Sequence, residues 1–393
     1  MNEEEKIGDL VDEVLTVWEE DPSVVFGGES RRLGLLHSSR ARRFKKYDSS
    51  GDCVYPQCAE KSIKRSHVIQ RNGALSVISE GGHVVHPVIG NEGELAIEPI
   101  GVGKASTFPG YCQKHEGIFQ SFERTGAIDK DDHVVQQAFR TVCREIKVRE
   151  IGLDEGQIDL ESYRRVRDDF IKQKLTERVG DASLKNLEIR NDPLEAEPLR
   201  ILDQANDMIA HLAPLKERLA KLVEGERAHV DVFGYRLPIE IPVAISGAIL
   251  SNYRKRSQKV RVAPLVLGLI PEQGSCLVYL SSLSNHRAYL KLLEKRFQFA
   301  IHTLNLIEQW MVYGTDHWFL RPSVWDHLPD TRKTRIIELI SSQDGVAGID
   351  SAPSIFDDLR QSLIEELILQ RGPVRDDTLE SIIELESSKL AEP

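Results

Sequence analysis

The chain reads as an α+β protein on three observations. Two close pairs of metal-ligating residue types, Cys53-x4-Cys58 and Cys112-x2-His115, stand in its first third. Residues 155–228 keep helical periodicity almost without interruption. Residues 229–283 then switch to short apolar runs broken by Pro and Gly, the pattern of an antiparallel sheet with no helices between its strands. The expected order is therefore a zinc-stabilised N-terminal module, a long helical segment, a small antiparallel sheet and C-terminal helices. At 393 residues the chain is too long for one small core, and the composition shifts divide it into 1–150, 151–228 and 229–393.

Within that frame each element has its own signal. Residues 4–20 place Ile7, Leu10, Val11, Val14, Leu15 and Trp18 on one helical stripe, which Gly27-Gly28 ends. SHVIQ, ALSVIS, HVVHPVI and ELAIEPI, between 66 and 100, read as short strands separated by turn residues. A helix begins near Cys112, and another covers about 132–149. The run from Glu197 to about Arg227 is a long amphipathic helix, compatible with a homodimer. HVDVFGYRL, IPVAISGAI, APLVLGLIP and SCLVYLSS are the four strands of the sheet. Helices return at 285–313, 330–342, 354–370 and 376–390.

The net charge of −11 conceals an asymmetry. From Arg31 to Arg71 eleven basic residues face only Asp48, Asp52 and Glu60, a segment of +8 against −19 for the remainder. Such a block, with Arg40, Arg42, Arg43, Lys45, Lys46, Lys64 and Arg65 nearest the cysteines, is the footprint of a phosphate-backbone partner. The alternative is a solvated basic loop offsetting an acidic body. The expected partner is nucleic acid, with DNA only narrowly ahead of RNA, and no base-reading motif is visible to separate them. No stretch reaches the roughly 18 apolar residues of a membrane span, and the acidic start lacks signal-peptide features, so a cytoplasmic protein is expected. The C-terminal region could also hold a partner protein.

Five cysteines in such a chain argue for metal ligation rather than disulfides. Cys143 and Cys276 lie in apolar patterns and read as packing. Cys53, Cys58, Cys112 and His115 form the two pairs that a tetrahedral structural zinc requires. Pro56 favours the turn in the first pair, and Pro109-Gly110 bends the chain before the second. A different set, with His67 or the His83-x2-His86 pair replacing one ligand, is the competing arrangement.

With its neighbours, this constellation resembles the HNH, or ββα-metal, nucleases: "CVYPQC…RSHVIQ…YCQKHEG" places a knuckle pair before a strand histidine and a second pair at the start of a helix. The resemblance covers about residues 50–122. It implies a ββα-like fold in which His67 is the general base that activates water. Glu116 would help hold a catalytic Mg²⁺ or Mn²⁺ ion beside the structural Zn²⁺. Asn72 would orient the histidine. Three positions depart from the family pattern: Ser66 replaces an acidic ligand, Glu116 replaces His or Asn, and the interval from His67 to Cys112 is long. The function implied is metal-dependent hydrolysis of nucleic-acid phosphodiesters, on an architecture similar to bacterial effectors of anti-phage defence. The alternative is a non-catalytic zinc module that binds nucleic acid or a protein partner. A phosphate loop at 101–106 fails, because Glu98 stands where its first Gly belongs and Ala105 where Ser or Thr should follow Lys104. The aromatic cluster with Asp316-His317 reads as a packed corner, with a ligand pocket as the minor alternative.

Overall fold

A computed structural model of the protein describes residues 8–9, 12–13, 16–17, 21, 23–90, 93–179, 195–254, 260–342, 352–370 and 377–391. The helix expected over 4–20 falls largely outside these. In chain order, helix α1 spans Glu29–Tyr47, followed by strands β1 (Ser66–His67), β2 (His83–Ile89), β3 (Leu95–Gly101) and β4 (Thr107–Phe108). Helices α2 (Gln113–Glu116), α3 (Gln120–Thr125), α4 (Asp131–Val179) and α5 (Ala196–Val223) come next. Strands β5 (Val230–Leu237), β6 (Val243–Arg254), β7 (Val260–Glu272) and β8 (Ser275–Leu283) form the following block. Then come α6 (Arg287–Glu294), α7 (Ala300–Gln309), β9 (Trp318–Leu320), α8 (Pro322–His327), α9 (Asp330–Ser341), α10 (Asp357–Gln370) and α11 (Asp377–Ala391). Among the described residues no helix is long and apolar enough to cross a membrane.

The chain forms two compact units: Met1–Tyr47 with Asn91–Glu94 and Val148–Ile209, and Asp48–Gly90 with Leu95–Lys147 and Ala210–Pro393. This differs from the division at 150 and 228, because strands from the cysteine-bearing region and from the C-terminal region share one sheet. That sheet has seven strands in the order β3-β2-β9-β6-β7-β8-β5, all paired antiparallel. Of the four strand segments expected in 229–283, HVDVFGYRL and SCLVYLSS match β5 and β8 closely, IPVAISGAI covers the first part of a longer β6, and APLVLGLIP is the buried part of β7. ALSVIS, in contrast, contains a helical turn, and SHVIQ keeps only two strand residues. The three-residue β9 bridges β2 to β6 and is too short to show alternation in the sequence.

The central strands of the sheet are buried on both faces. Leu265, Leu267 and Leu269 of β7 pack with Val278, Leu280, Leu304, Ile307 and Trp310 in the main core, which Trp318 and Trp325 also join. The aromatic cluster is thus a packed corner. The alternate residues face α4, where Thr141 Oγ1 lies 2.8 Å from both Ser246 Oγ and Tyr279 Oη, and Gln137 Nε2 lies 3.5 Å from Tyr279 Oη. This period of two lets one strand bury leucines on one side and seat a polar network on the other. The network holds the first turns of α4 on the sheet, and α4 carries Arg140.

Gly268 makes room for the Tyr279 ring: a β-carbon there would stand 2.3 Å from ring atoms. Gly268→Ala is therefore expected to destabilise the protein by about 1–3 kcal/mol in urea unfolding. Gly103→Ala, where an added carbon meets nothing within 4 Å, should leave the transition unchanged.

Candidate metal centre and adjoining polar site

The four sequence-selected ligands converge. The donor atoms of Cys53, Cys58, Cys112 and His115 all lie within 4.8 Å of one another. His115 Nδ1 is 3.5 Å from Cys53 Sγ and 3.4 Å from Cys112 Sγ, and Cys58 Sγ is 4.0 Å from Cys112 Sγ. A tetrahedral ion with metal–sulfur bonds of ~2.3 Å and a metal–nitrogen bond of ~2.0 Å requires edges of roughly 3.5 Å for S–N and 3.8 Å for S–S. The donor set fits a metal ion. Burial first, with the neighbouring Cys58 and Cys112 thiols, pushes the Cys53 thiol up to about 12. A cation at the centre reverses that preference, because a coordinating thiol is held as thiolate.

Local backbone geometry produces this convergence. Cys58 N–H donates to Tyr55 C=O across a turn whose centre is Pro56 and Gln57, and Gln57 adopts φ 60°. Proline followed by a left-handed residue is what such a tight reversal requires. Cys112 caps α2 in extended conformation, so its side chain and that of His115, one turn later, share a face. Val54 N–H donates to Gly110 C=O (2.9 Å) and Ile63 N–H to Tyr111 C=O (2.7 Å), zipping the two knuckles together. Tyr55 stacks on His115 with centroids 4.0 Å apart and donates its hydroxyl proton to Glu224 at 2.7 Å. The competing ligands are elsewhere: His83 contacts the Gly81 carbonyl, and His86 stacks on Phe319.

Beside the centre, β1 pairs with β4 (Ser66 opposite Phe108, His67 opposite Thr107), and α2 follows β4 closely. His67 is half-buried, and a hydrogen bond to the Val102 backbone favours its charged form. Its Nε2 is buried and without a hydrogen-bond partner. Burial, reinforced by Arg140, holds the His67 pKa below the ordinary histidine value. Asn72 is exposed and lines a cleft of ≈ 390 Å³ with Gln120, Glu123, Arg124, Thr125 and Gly126.

Glu116 is engaged differently from the expectation. Its Oε1 accepts from Arg140 Nη2 at 3.0 Å, and the same nitrogen reaches Glu123 Oε1 at 2.5 Å. Arg140 is completely buried and lies 4.2 Å over the Phe119 ring. Burial lifts the Glu116 pKa above the usual carboxylate range against the pull of Arg140. Ser66, at the family's acidic position, accepts the Tyr111 N–H at 3.1 Å. A second divalent ion therefore finds Glu116 and Glu123 both already paired with the Arg140 guanidinium, and no acidic partner at 66. These residues do not fit the expected Mg²⁺ or Mn²⁺ site.

Arg140 was missed in the sequence, yet its signal was present: a charged residue on the buried face of the helix DHVVQQAFRTVCREI, between Phe139 and Val142. His317, the other histidine singled out, is structural. It bridges Ser106 Oγ (3.1 Å) and the Ser246 carbonyl (2.6 Å), and burial lowers its pKa to about 3. Ser106 accepts the amide protons of Val68 and Ile69, so this bridge ties the His67 strand to the sheet.

The basic residues divide. Arg42 pairs with Glu155 and Asp159, Arg43 with Asp159, and Lys46 with Asp154 and Glu155, all within the first unit. Arg40 stacks over Phe44. In the second unit Arg65 pairs with Asp48. Lys45 and Lys64 are exposed, with no ion pair among the described residues. Much of the block thus serves internal charge balance.

Compared with protein-family models, curated proteins and solved structures, the chain matches none. Purified protein is expected to carry one tightly held metal ion per chain. Cys112→Ser should lose the ion and lower the thermal midpoint by several degrees, because binding energy at a structural site is folding energy. Elemental analysis and calorimetry on the same preparations check both.

Proposed function

We propose that the chain is a zinc-stabilised nuclease whose ββα-like module cleaves nucleic-acid phosphodiester bonds with His67 as general base. One observation carries the reading: a half-buried histidine whose Nε2 has no hydrogen-bond partner stands on a two-stranded ribbon that leads into the Glu116 helix. General-base catalysis asks for a neutral imidazole, which the burial of His67 favours. Zinc is the favoured ion because three thiolates and an imidazole in a closed tetrahedron suit it. Lys64, exposed three residues before His67, is suited to a backbone phosphate contact, which positions without reading sequence.

A second reading has its own support. The complete burial of Arg140 between two glutamates is what a purely structural ion cluster would show, and the module would then bind nucleic acid or a protein without cutting. His67→Ala separates the two. Under the nuclease reading cleavage of plasmid and RNA substrates disappears while metal content and thermal midpoint persist. Under the second, wild-type protein cuts nothing and the variant binds as before.

The sign of the pH dependence follows from His67. A base must be unprotonated, and a lowered pKa keeps it so below the usual histidine value. The acidic limb of the rate profile is expected below pH ~6.5. A limb centred above that value would contradict the assignment.

A further inference from the structure

Arg42, Arg43, Lys46 and Arg65 are engaged in ion pairs, whereas a second group of cations is not. A cavity of ≈ 270 Å³ lies between the last turns of α5 and the segment leading into β5. Arg218, Lys221, Arg227 and His229 line it, with Glu217 as its single carboxylate. The end of the helix builds this arrangement. Arg218 and Lys221, three positions apart, share one face of α5, and the opposite face buries Leu212, Leu215 and Leu219. Gly225 adopts φ 79°, and the N–H groups of Gly225 and Glu226 return to the carbonyls of Leu222 and Lys221 at 3.0 and 2.8 Å. This left-handed stop turns the chain back. The His229 carbonyl then accepts the Ser284 N–H at 3.2 Å, where β5 begins to pair with β8.

The charge here is uncompensated. Arg218 is half-buried, and Lys221, Arg227 and His229 are exposed. None of the four has an ion pair or a side-chain hydrogen bond among the described residues, and Glu217 pairs with none of them. The helix dipole accounts for Lys221, in the last turn of α5, but it falls off within that turn and leaves Arg218 unexplained. Three permanent cations and an imidazole around a small cavity suit the oxygens of a phosphate, which a guanidinium fork matches in geometry. The cavity is smaller than the roughly 300–1,000 Å³ of sites that enclose a small molecule. Pro214 and Ala228 complete its wall, with no Phe, Tyr or Trp on which a base could stack. A phosphate is thus held without its base, the kind of contact that positions a nucleic-acid backbone irrespective of sequence. Glu224, between Lys221 and Arg227, accepts the Tyr55 hydroxyl at 2.7 Å, and Tyr55 stacks on His115. The turn that forms the pocket therefore docks on the first cysteine knuckle.

We infer that Arg218, Lys221, Arg227 and His229 form a phosphate pocket that holds the backbone of a nucleic-acid strand beside the metal centre. The inference rests on the nucleic-acid reading of the module and holds whether or not His67 cuts the strand.

The test uses full-length zinc-loaded protein with fluorescent mixed-sequence duplex DNA and single-stranded RNA, without Mg²⁺ or Mn²⁺. Binding is followed by anisotropy over a salt series. One variant combines Arg218→Gln, Lys221→Gln and Arg227→Gln; a control removes the same charge at the exposed Lys130, Lys291 and Lys295. Each neutralised phosphate contributes about 0.9 to the slope of log K against log salt on duplex DNA and about 0.7 on single strands. The variant is expected to lose about that much slope. Taking equal binding at 1 M salt, it should bind about 5–8-fold more weakly at 0.1 M, with zinc content and thermal midpoint unchanged. Affinity and slope equal to the control's overturn the inference and leave the His67 assignment to its own cleavage test. If the variant loses its fold, acetylation of wild-type lysines read by mass spectrometry decides. Lys221 should be protected by the strand and Lys130 should not; equal labelling of Lys221 with and without the strand overturns the inference. Pyrophosphate or a mononucleotide that binds the wild type but not the variant in calorimetry, with strand binding the same in both, makes this a small-anion site and overturns the nucleic-acid assignment. No binding of any strand by the wild type overturns the inference together with the reading beneath it.

Discussion

The convergence of three sulfurs and one imidazole nitrogen is the constraint on which the rest of the site depends. Strands β1 and β4 have two residues each, α2 has four and α3 has six. Isolated helices below about 12–15 residues are marginal in water, and a two-residue ladder supplies little of its own. These pieces hold position because two knuckles are pulled to one point and because Phe108, Tyr111, Phe119 and Phe122 are fully buried around them. Apolar burial at roughly 1.5–3 kcal/mol per large side chain gives the module its mass of stability. The four-ligand centre determines where that mass sits in relation to His67 and Glu116.

The polar groups beside the centre show a different economy of charge. Placing Arg140 at zero exposure between two carboxylates is expensive in desolvation, and breaking such a pair is more damaging than never having made it. A similar arrangement lies at the C-terminal end, where Arg360 is buried against Glu308, Glu386, Asn305 and Ser354 and ties α7, α10 and α11 together. The two clusters differ in one respect. Asn305, Ser354 and the amides of Ile355 and Phe356 complete the hydrogen bonds around Arg360 and Glu308. Arg140 keeps Nε and Nη1 without hydrogen-bond partners and lies over the Phe119 ring instead.

How much of this was legible depended on whether the signal was local. The metal ligands could be read because each pair lies within six residues and carries its own turn chemistry, as Pro56 and Pro109-Gly110 show. Strands β5, β6 and β8 could be read from short apolar runs bounded by Gly and Pro. The seven-stranded sheet could not, since β2 and β3 join it across more than 200 residues through the three-residue β9. Side-chain pairing was also invisible. Arg42, Arg43 and Lys46 looked like a free basic patch because their acidic partners lie over one hundred positions away. The partner of Glu116 was hidden for the same reason: Arg140, 24 residues later, approaches it only once α4 lies on the sheet.

The most direct measurement is X-ray absorption at the zinc edge of the purified full-length protein. The account predicts one zinc per chain with three sulfur neighbours at about 2.3 Å and one nitrogen at about 2.0 Å, the nitrogen signal lost in His115→Ala. A metal-free protein that is fully folded, or an ion bound by oxygen ligands alone, would contradict it. In that case the placement of His67 beside the Glu116 helix would need another cause.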